Sequence, residues 1–230
     1  MNVVKLQIEP HSNVYFISDT HFNHANVVRY ANRPYKDCDE MNESLINNWN
    51  KVVRKTDHIF CVGDFCFGPI DQICSRLNGI KYLIIGSHDR VNNTYNQYFK
   101  GLYNQLELVI TDRNPYMKYN IILNHTALRT WEKSHYGALH LFGHQHHEVP
   151  TLNLSWNVCV DTALSNYTPI SFDVIKQLYH ERVKQLIETN RVVKSERNGV
   201  YLYQQDDVAY LLQKLENKVS LDFKIAYNSI

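Results

Sequence analysis

Along the first two-thirds of the chain, short runs of branched and aromatic residues recur, each stopping at a small polar or glycine-containing turn. Val14-Tyr15-Phe16-Ile17 ends at Ser18-Asp19, Ile59-Phe60-Cys61-Val62 at Gly63-Asp64, and Tyr82-Leu83-Ile84-Ile85 at Gly86-Ser87-His88-Asp89. Ile121-Ile122-Leu123 runs into Asn124-His125, and Leu139-His140-Leu141-Phe142 into Gly143-His144-Gln145-His146. These predict five strands with five polar endings. The apolar alternation within Met1–Pro10 adds a first strand ahead of them.

Between the strands the apolar spacing changes to three and four. Met41, Leu45, Ile46, Trp49, Val52 and Val53 share a helical face after a start at Asp37–Glu40, and Pro69 opens a shorter helix carrying Ile70, Ile73, Cys74 and Leu77. Strands alternating with helices predict an α/β layered domain that collects ligands at the carboxyl ends of its strands. After Pro169 the pattern changes: Ile175, Leu178, Tyr179, Val183, Leu186 and Ile187 predict a helix up to Asn190. Val192–Ser195 and Val200–Tyr203 then flank Asn198-Gly199, a hairpin signal because both turn residues tolerate positive φ. Val208, Leu211, Leu212, Leu215 and Val219 predict a closing helix. The chain thus divides into a core domain over residues 1–175 and a helix-hairpin-helix appendage over residues 176–230, packed on the core and available for homodimer contact.

Composition narrows the class. With 230 residues, 44% hydrophobic and 20% charged, the chain has the balance of a globular protein with a sizeable core. A net charge of +1 gives no overall field toward duplex nucleic acid or an anionic membrane, so a small partner is favoured over long nucleic acid. No apolar run approaches a membrane span, and the five cysteines lack paired spacing, which reads as reduced thiols in a cytoplasmic protein. Twelve histidines direct attention to metals.

A two-metal phosphoester site needs a carboxylate shared by two cations about 3.5–4 Å apart, with mixed imidazole and carboxylate donors around them. The strand endings offer Asp19 and His21 (D-T-H), Asp64 (G-D), His125, and His144 with His146 (G-H-Q-H). On extended backbone, D-x-H and H-x-H spacing sends alternate side chains the same way, toward one ion or a neighbouring pair. His140, His58, His135 and His147 read as structural. Arg191, Lys194 and Arg197, partly offset by Glu196, read as a solvated face, and the tyrosines as core residues with a wet hydroxyl.

In order, these blocks resemble those of the calcineurin-like metallophosphoesterases: D-x-H, G-D, G-N-H-D/E, a lone H, and G-H-x-H. The resemblance covers residues 13 to 172. D-T-H-F-N-H, N-R-P-Y at Asn32–Tyr35 and M-N-E-S-L-I-N-N-W-N at Met41–Asn50 place it nearest the small bacterial and phage branch. It implies two facing mixed β-sheets flanked by helices, with a small C-terminal α/β appendage on a catalytic domain. It implies two divalent cations, manganese foremost with iron, zinc or nickel as alternatives. Asp19, His21 and His146 would hold the first, His125 and His144 the second, and Asp64 would bridge. The activity implied is hydrolysis of a phosphomonoester or phosphodiester, with a small nucleotide-like substrate, by a hydroxide bridging the two ions.

Ser87 departs from the pattern, standing where the family has the asparagine ligand of the second metal. A hydroxyl is a weaker and shorter donor than an amide carbonyl, which predicts a weakened second site. A catalytically weakened protein that binds or sequesters a phosphorylated ligand is therefore the alternative. His88 is the implied general acid with Asp89 as its orienting carboxylate, against a plain turn-capping role for the pair. His24 and Arg33 are candidates for contacting the substrate phosphate, against ordinary surface roles.

Overall fold

The computed structural model describes residues 2–7, 13–113, 116–189, 192–194 and 201–203. Its strands are β1 (Asn2–Gln7), β2 (Val14–Ile17), β3 (His58–Cys61), β4 (Ile80–Ile84), β5 (Phe99–Tyr103), β6 (Gln105–Arg113), β7 (Tyr116–Asn124), β8 (Leu139–Phe142), β9 (Ser155–Asn157), β10 (Ile170–Ser171), β11 (Val192–Lys194) and β12 (Tyr201–Tyr203). The helices are α1 (Ala25–Tyr30), α2 (Cys38–Val52), α3 (Asp71–Cys74), α4 (Tyr95–Tyr98) and α5 (Phe172–Glu188).

Two mixed five-stranded sheets form the body, in the orders β10-β2-β3-β4-β5 and β1-β6-β7-β8-β9. In the first, β2 to β5 run parallel and β10 lies antiparallel to β2. In the second, β6 and β7 make a long antiparallel pair with β1 parallel on one side and β8 and β9 parallel on the other. Flanked by helices, the pair of sheets is the α/β sandwich expected for the chain.

The short apolar runs lack polar alternation because their strands are buried on both faces. Val14, Phe16, Phe60, Val62, Tyr82 and Ile84 join Leu106, Leu108, Ile110, Ile121 and Leu123 in a core between the sheets. Tyr15, Ile17, Ile59, Cys61 and Leu83 point the other way and join Met41, Leu45, Ile46 and Trp49 of α2. That helix starts where Asp37 accepts the Glu40 backbone N–H at 2.9 Å, and Trp49, fully buried, donates its indole N–H to the Asn78 carbonyl at 2.9 Å. The turn after α2 then feeds β3 toward the site.

Three local differences from the sequence reading have physical reasons. Leu106, Leu108 and Ile110 alternate in period two and build β6, yet Glu107 interrupts the apolar run and hid the strand. Glu107 is buried and paired with Lys133. The helix expected over Pro69–Leu77 is a single turn, because Ser75 and Arg76 already bond back to Asp71 and Ile73 as it closes. The expected division after residue 175 falls inside α5, whose Phe172, Ile175, Tyr179, Val183 and Leu186 all belong to the inter-sheet core. Beyond it, β11 pairs antiparallel with β12, Val192 opposite Tyr203, where the hairpin was expected. The Asn198-Gly199 turn and the closing helix lie outside the described residues. All five cysteines are free, and among the described residues no helix is long and apolar enough to cross a membrane.

Candidate metal centre

Six strand ends converge at one rim. Ser18–His21 follow β2, Asp64 follows β3 and Ser87–Asp89 follow β4; His125 follows β7, His144 and His146 follow β8, and Asp161 follows β9. Since β2, β3 and β4 are parallel, as are β7, β8 and β9, each sheet delivers its carboxyl ends to the same edge. The loops after β2 and β3 are tied by Asp19 N–H to the Gly63 carbonyl and His21 N–H to the Asp64 carbonyl, both at 3.0 Å.

Two groups of donors result: Asp19, His21 and His146 in the first, and Asp64, His125 and His144 in the second, the ligand atoms of each lying within 4.8 Å of one another. Asp64 Oδ2 sits between them, 3.6 Å from His21 Nε2 and 3.4 Å from His125 Nε2. Its position suits a carboxylate shared by two cations. The H-x-H pair is split, His144 serving the second group and His146 the first.

The backbone reaches this arrangement differently from the extended chain expected. Asp19, His21, Asp64 and His144 all have left-handed backbone, with φ of 57°, 48°, 52° and 68°. For residues with a Cβ this costs on the order of 1–3 kcal/mol each and persists only where surrounding bonds enforce it. Gly63, at φ 96°, and Gly143 allow the close packing: a Cβ on the first would strike the His125 ring, and one on the second the Ser18 and Asp19 side chains.

Most polar atoms here are partnered. Asp19 Oδ2 accepts the His144 N–H at 2.9 Å, Asp64 Oδ1 the His88 N–H at 2.8 Å, and His125 Nδ1 faces the Val62 carbonyl at 2.9 Å. Three buried atoms are not: Asp19 Oδ1, His21 Nε2 and His125 Nε2. A buried polar atom without a partner costs about 1–3 kcal/mol. A carboxylate oxygen and two imidazole nitrogens, two of them in the first group and one in the second, are a donor set that divalent cations fit. Burial dominates the electrostatics: it raises the Asp19 carboxyl and lowers His21 to about 3. At His125 burial is outweighed by the Asp64 and Asp19 carboxylates, which raise the ring to about 9, while the His125 and His88 contacts hold Asp64 well below the usual carboxylate range.

The remaining expected site residues separate. The His88 ring is exposed and, with His21, Val27, Tyr30 and His144, lines a cleft of about 250 Å³. His24 belongs to the same wall, stacked on Phe67 with ring centroids 3.9 Å apart. Ser87 directs its hydroxyl at Asp64, 3.3 Å from Oδ2 and 3.5 Å from Oδ1. Asp89 does not orient His88. Its carboxylate accepts the backbone N–H groups of Asp64, Phe65 and Gly86 at 3.0, 2.9 and 2.8 Å, so it caps the loop carrying Asp64, the turn-capping role named as its alternative.

Arg33 is likewise corrected from substrate contact to buried support. Its guanidinium is 0% exposed and binds both oxygens of Asp161 and the carbonyls of Asp19 and Thr20. Asp161 was not singled out from the sequence, although the run Trp156 to Val160 followed by Asp161-Thr162 repeats the signal of an apolar stretch with a polar ending. It accepts the His146 Nδ1–H at 2.6 Å, and Arg33 and His146 hold its carboxyl below the usual range against the effect of burial.

The uncharacterized protein MJ1445 of Methanocaldococcus jannaschii is 34% identical over 191 residues, covering 79% of this chain and 95% of that protein. The chain belongs to the MJ1445 family. That relative is itself uncharacterized, so membership brings no activity with it. The Gene 66 protein of Mycobacterium phage D29 is 36% identical over 90 residues, 36% of this chain and 44% of that protein. The Gene 66 protein of Mycobacterium phage L5 is 32% identical over 84 residues, 34% of this chain and 40% of that one. The crystal structure of the protein of unknown function AQ665 from Aquifex aeolicus aligns with a TM-score of 0.57 at 24% identity, over 73% of this chain and 100% of that chain, a likeness of fold alone. No protein-family profile matches the chain.

Proposed function

We propose that this member of the MJ1445 family is a metal-dependent phosphoester hydrolase of the calcineurin-like type, acting on a small phosphorylated, nucleotide-like molecule. The observation that carries the reading is the trio of orphaned buried atoms, Asp19 Oδ1, His21 Nε2 and His125 Nε2, within two donor groups of which His21, Asp64, His144 and His146 line a cleft. Asp19, His21 and His146 would hold one divalent cation, and His125 and His144 the other, with Asp64 shared. Bound there, a cation pair supplies positive charge for a phosphoryl group and lowers the pKa of a nearby water. Mixed nitrogen and oxygen donors accept manganese, iron, zinc or nickel, and the resemblance puts manganese first among them.

The chain's own residues have separable tasks in this reaction. Asp89 and the Gly63 turn keep Asp64 aimed between the two groups. His88, at the open side of the cleft, would give a proton to the departing oxygen, and His24 would flank the substrate. The Ser87 hydroxyl, engaged with Asp64, supports a weakened second site and keeps the alternative of a ligand-sequestering protein in play.

A panel of aryl phosphates, nucleotides and phosphodiesters, assayed with Mn²⁺ and with chelator, tests the reading. Turnover with Mn²⁺ and none with chelator is expected, whereas stoichiometric retention of an ester without product would establish the sequestering alternative. His88→Ala should slow alkyl esters by roughly 100-fold while sparing activated aryl esters, the size of a lost general acid. Equal losses on both would remove His88 from that role.

A further inference from the structure

We propose that Arg33 and Asp161 are a positioning couple that fixes two ligands of the first donor group at once, the Asp19 backbone and the His146 ring, and so makes that group the tighter of the two cation sites. The inference rests on the metal reading above. Both partners are out of solvent, at 0% and 2% side-chain exposure. Nε and Nη2 of Arg33 grip Asp161 Oδ1 and Oδ2 at 2.8 and 2.9 Å, the two-pronged geometry that a planar guanidinium imposes on a carboxylate. Nη2 also donates to the Asp19 carbonyl at 2.6 Å, and Nη1 to the Thr20 carbonyl at 2.9 Å, with Met41 Sδ 3.2 Å away. The same side chain therefore braces the loop after β2 and the loop after β9.

Asp161 passes that constraint to His146. By accepting Nδ1–H at 2.6 Å it selects the tautomer whose Nε2 is bare, and that nitrogen stands 3.9 Å from the orphaned Asp19 Oδ1. Carboxylate support of this kind orients a ligating histidine and raises its basicity. The second group is braced differently. His125 has only the neutral Val62 carbonyl behind it, and His144 is exposed with no hydrogen-bond partner for its ring among the described residues. His146, Cys159 and Asp161 also lie close enough to form a third donor group, but Arg33 already occupies both Asp161 oxygens with a positive charge.

The test is a Mn²⁺ titration of the metal-free full chain, reading free ion by electron paramagnetic resonance. Two classes of site are expected. Asp161→Asn should weaken the tighter class by 10- to 100-fold, the scale of lost carboxylate support, and leave the weaker class within about twofold, with partial recovery in Asp161→Glu. A general structural defect would move both classes and gain nothing from Glu. An unchanged tighter class, equal losses in both, or a third ion per chain would overturn the inference and leave the metal reading standing, whereas a wild-type chain that binds no Mn²⁺ overturns the metal reading itself. Should Asp161→Asn not fold, nitrogen-15 spectra of the wild-type protein, taken where the rings are neutral, decide the matter. Nδ1–H with bare Nε2 at His146 is expected; the opposite tautomer refutes the couple.

Discussion

The two donor groups have the same ligand count, with Asp64 lying between His21 of one and His125 of the other, yet they are built to different standards. The first draws on Asp19, His21 and His146, held by a buried ion pair that reaches three loops. The second draws on His125 and His144, with His144 open to solvent and a serine hydroxyl at the position where the calcineurin-like pattern has an asparagine. Preorganised donors lose little freedom when a cation arrives, whereas exposed ones must be ordered at that moment. Number of ligands alone does not make two sites equal.

The largest test of this contrast is at the shared residue. Asp64→Asn should abolish cation binding in both groups and cut turnover by roughly three orders of magnitude, about 4 kcal/mol at 1.36 kcal/mol per tenfold. Full binding retained in either group, measured by titration, would show that Asp64 is not common to both. Next comes Arg33→Met, which leaves a buried Asp161 without its cation. Loss of one partner of a buried pair costs about 3–5 kcal/mol, so the metal-free protein should melt well below wild type, while Ser87→Ala should melt within a degree or two of it.

His140 sharpens the comparison from outside the site. It is fully buried, with Nδ1 against the Ile122 carbonyl at 3.0 Å and Nε2 accepting the Leu128 N–H at 3.0 Å, so unlike His21 and His125 it has no nitrogen left for a cation. Burial lowers its pKa to about 4. The unfolded chain, titrating near pH 6.5, therefore binds the extra proton first as pH falls. The stabilisation is complete above pH 6.5 and is lost between pH 6.5 and 4, amounting to roughly 3 kcal/mol. Urea midpoints at pH 7 and pH 4.5 should show a smaller difference in His140→Gln than in wild type. The smallest effect is expected at Ser87→Asn, which should tighten the weaker cation class and raise turnover by about tenfold, close to 1.4 kcal/mol. No gain in either would mean that the hydroxyl is not what weakens the second group.

Much of this was legible before any coordinates. Apolar runs ending in Asp19, Asp64, His125 and His144 announced both the strands and their chemistry, because strands buried on two faces leave polar residues only at their ends. The hairpin of β6 and β7 was half missed, since Glu107 reads as a surface charge until Lys133, 26 residues away, is brought beside it. Asp89 bonds to the backbone of its own loops and Arg33 to Asp161, placements that no local pattern distinguishes from ligand contact. A carboxylate next to a histidine, and an arginine next to a proline, look the same in sequence whether they face a ligand or their own backbone.

The sequence by itself marked out β1 to β4, β7 and β8, the helices α2 and α5, and the six candidate donors at the strand ends. Each depends on local pattern, and local pattern survives in one dimension. Only the tertiary structure decided that the ligands take left-handed backbone, that Asp161 stands behind His146, and that Arg33 is consumed by a partner 128 residues away. Those outcomes turn on which buried groups find partners, and that is settled by the packing of two sheets against each other rather than by any neighbour along the chain.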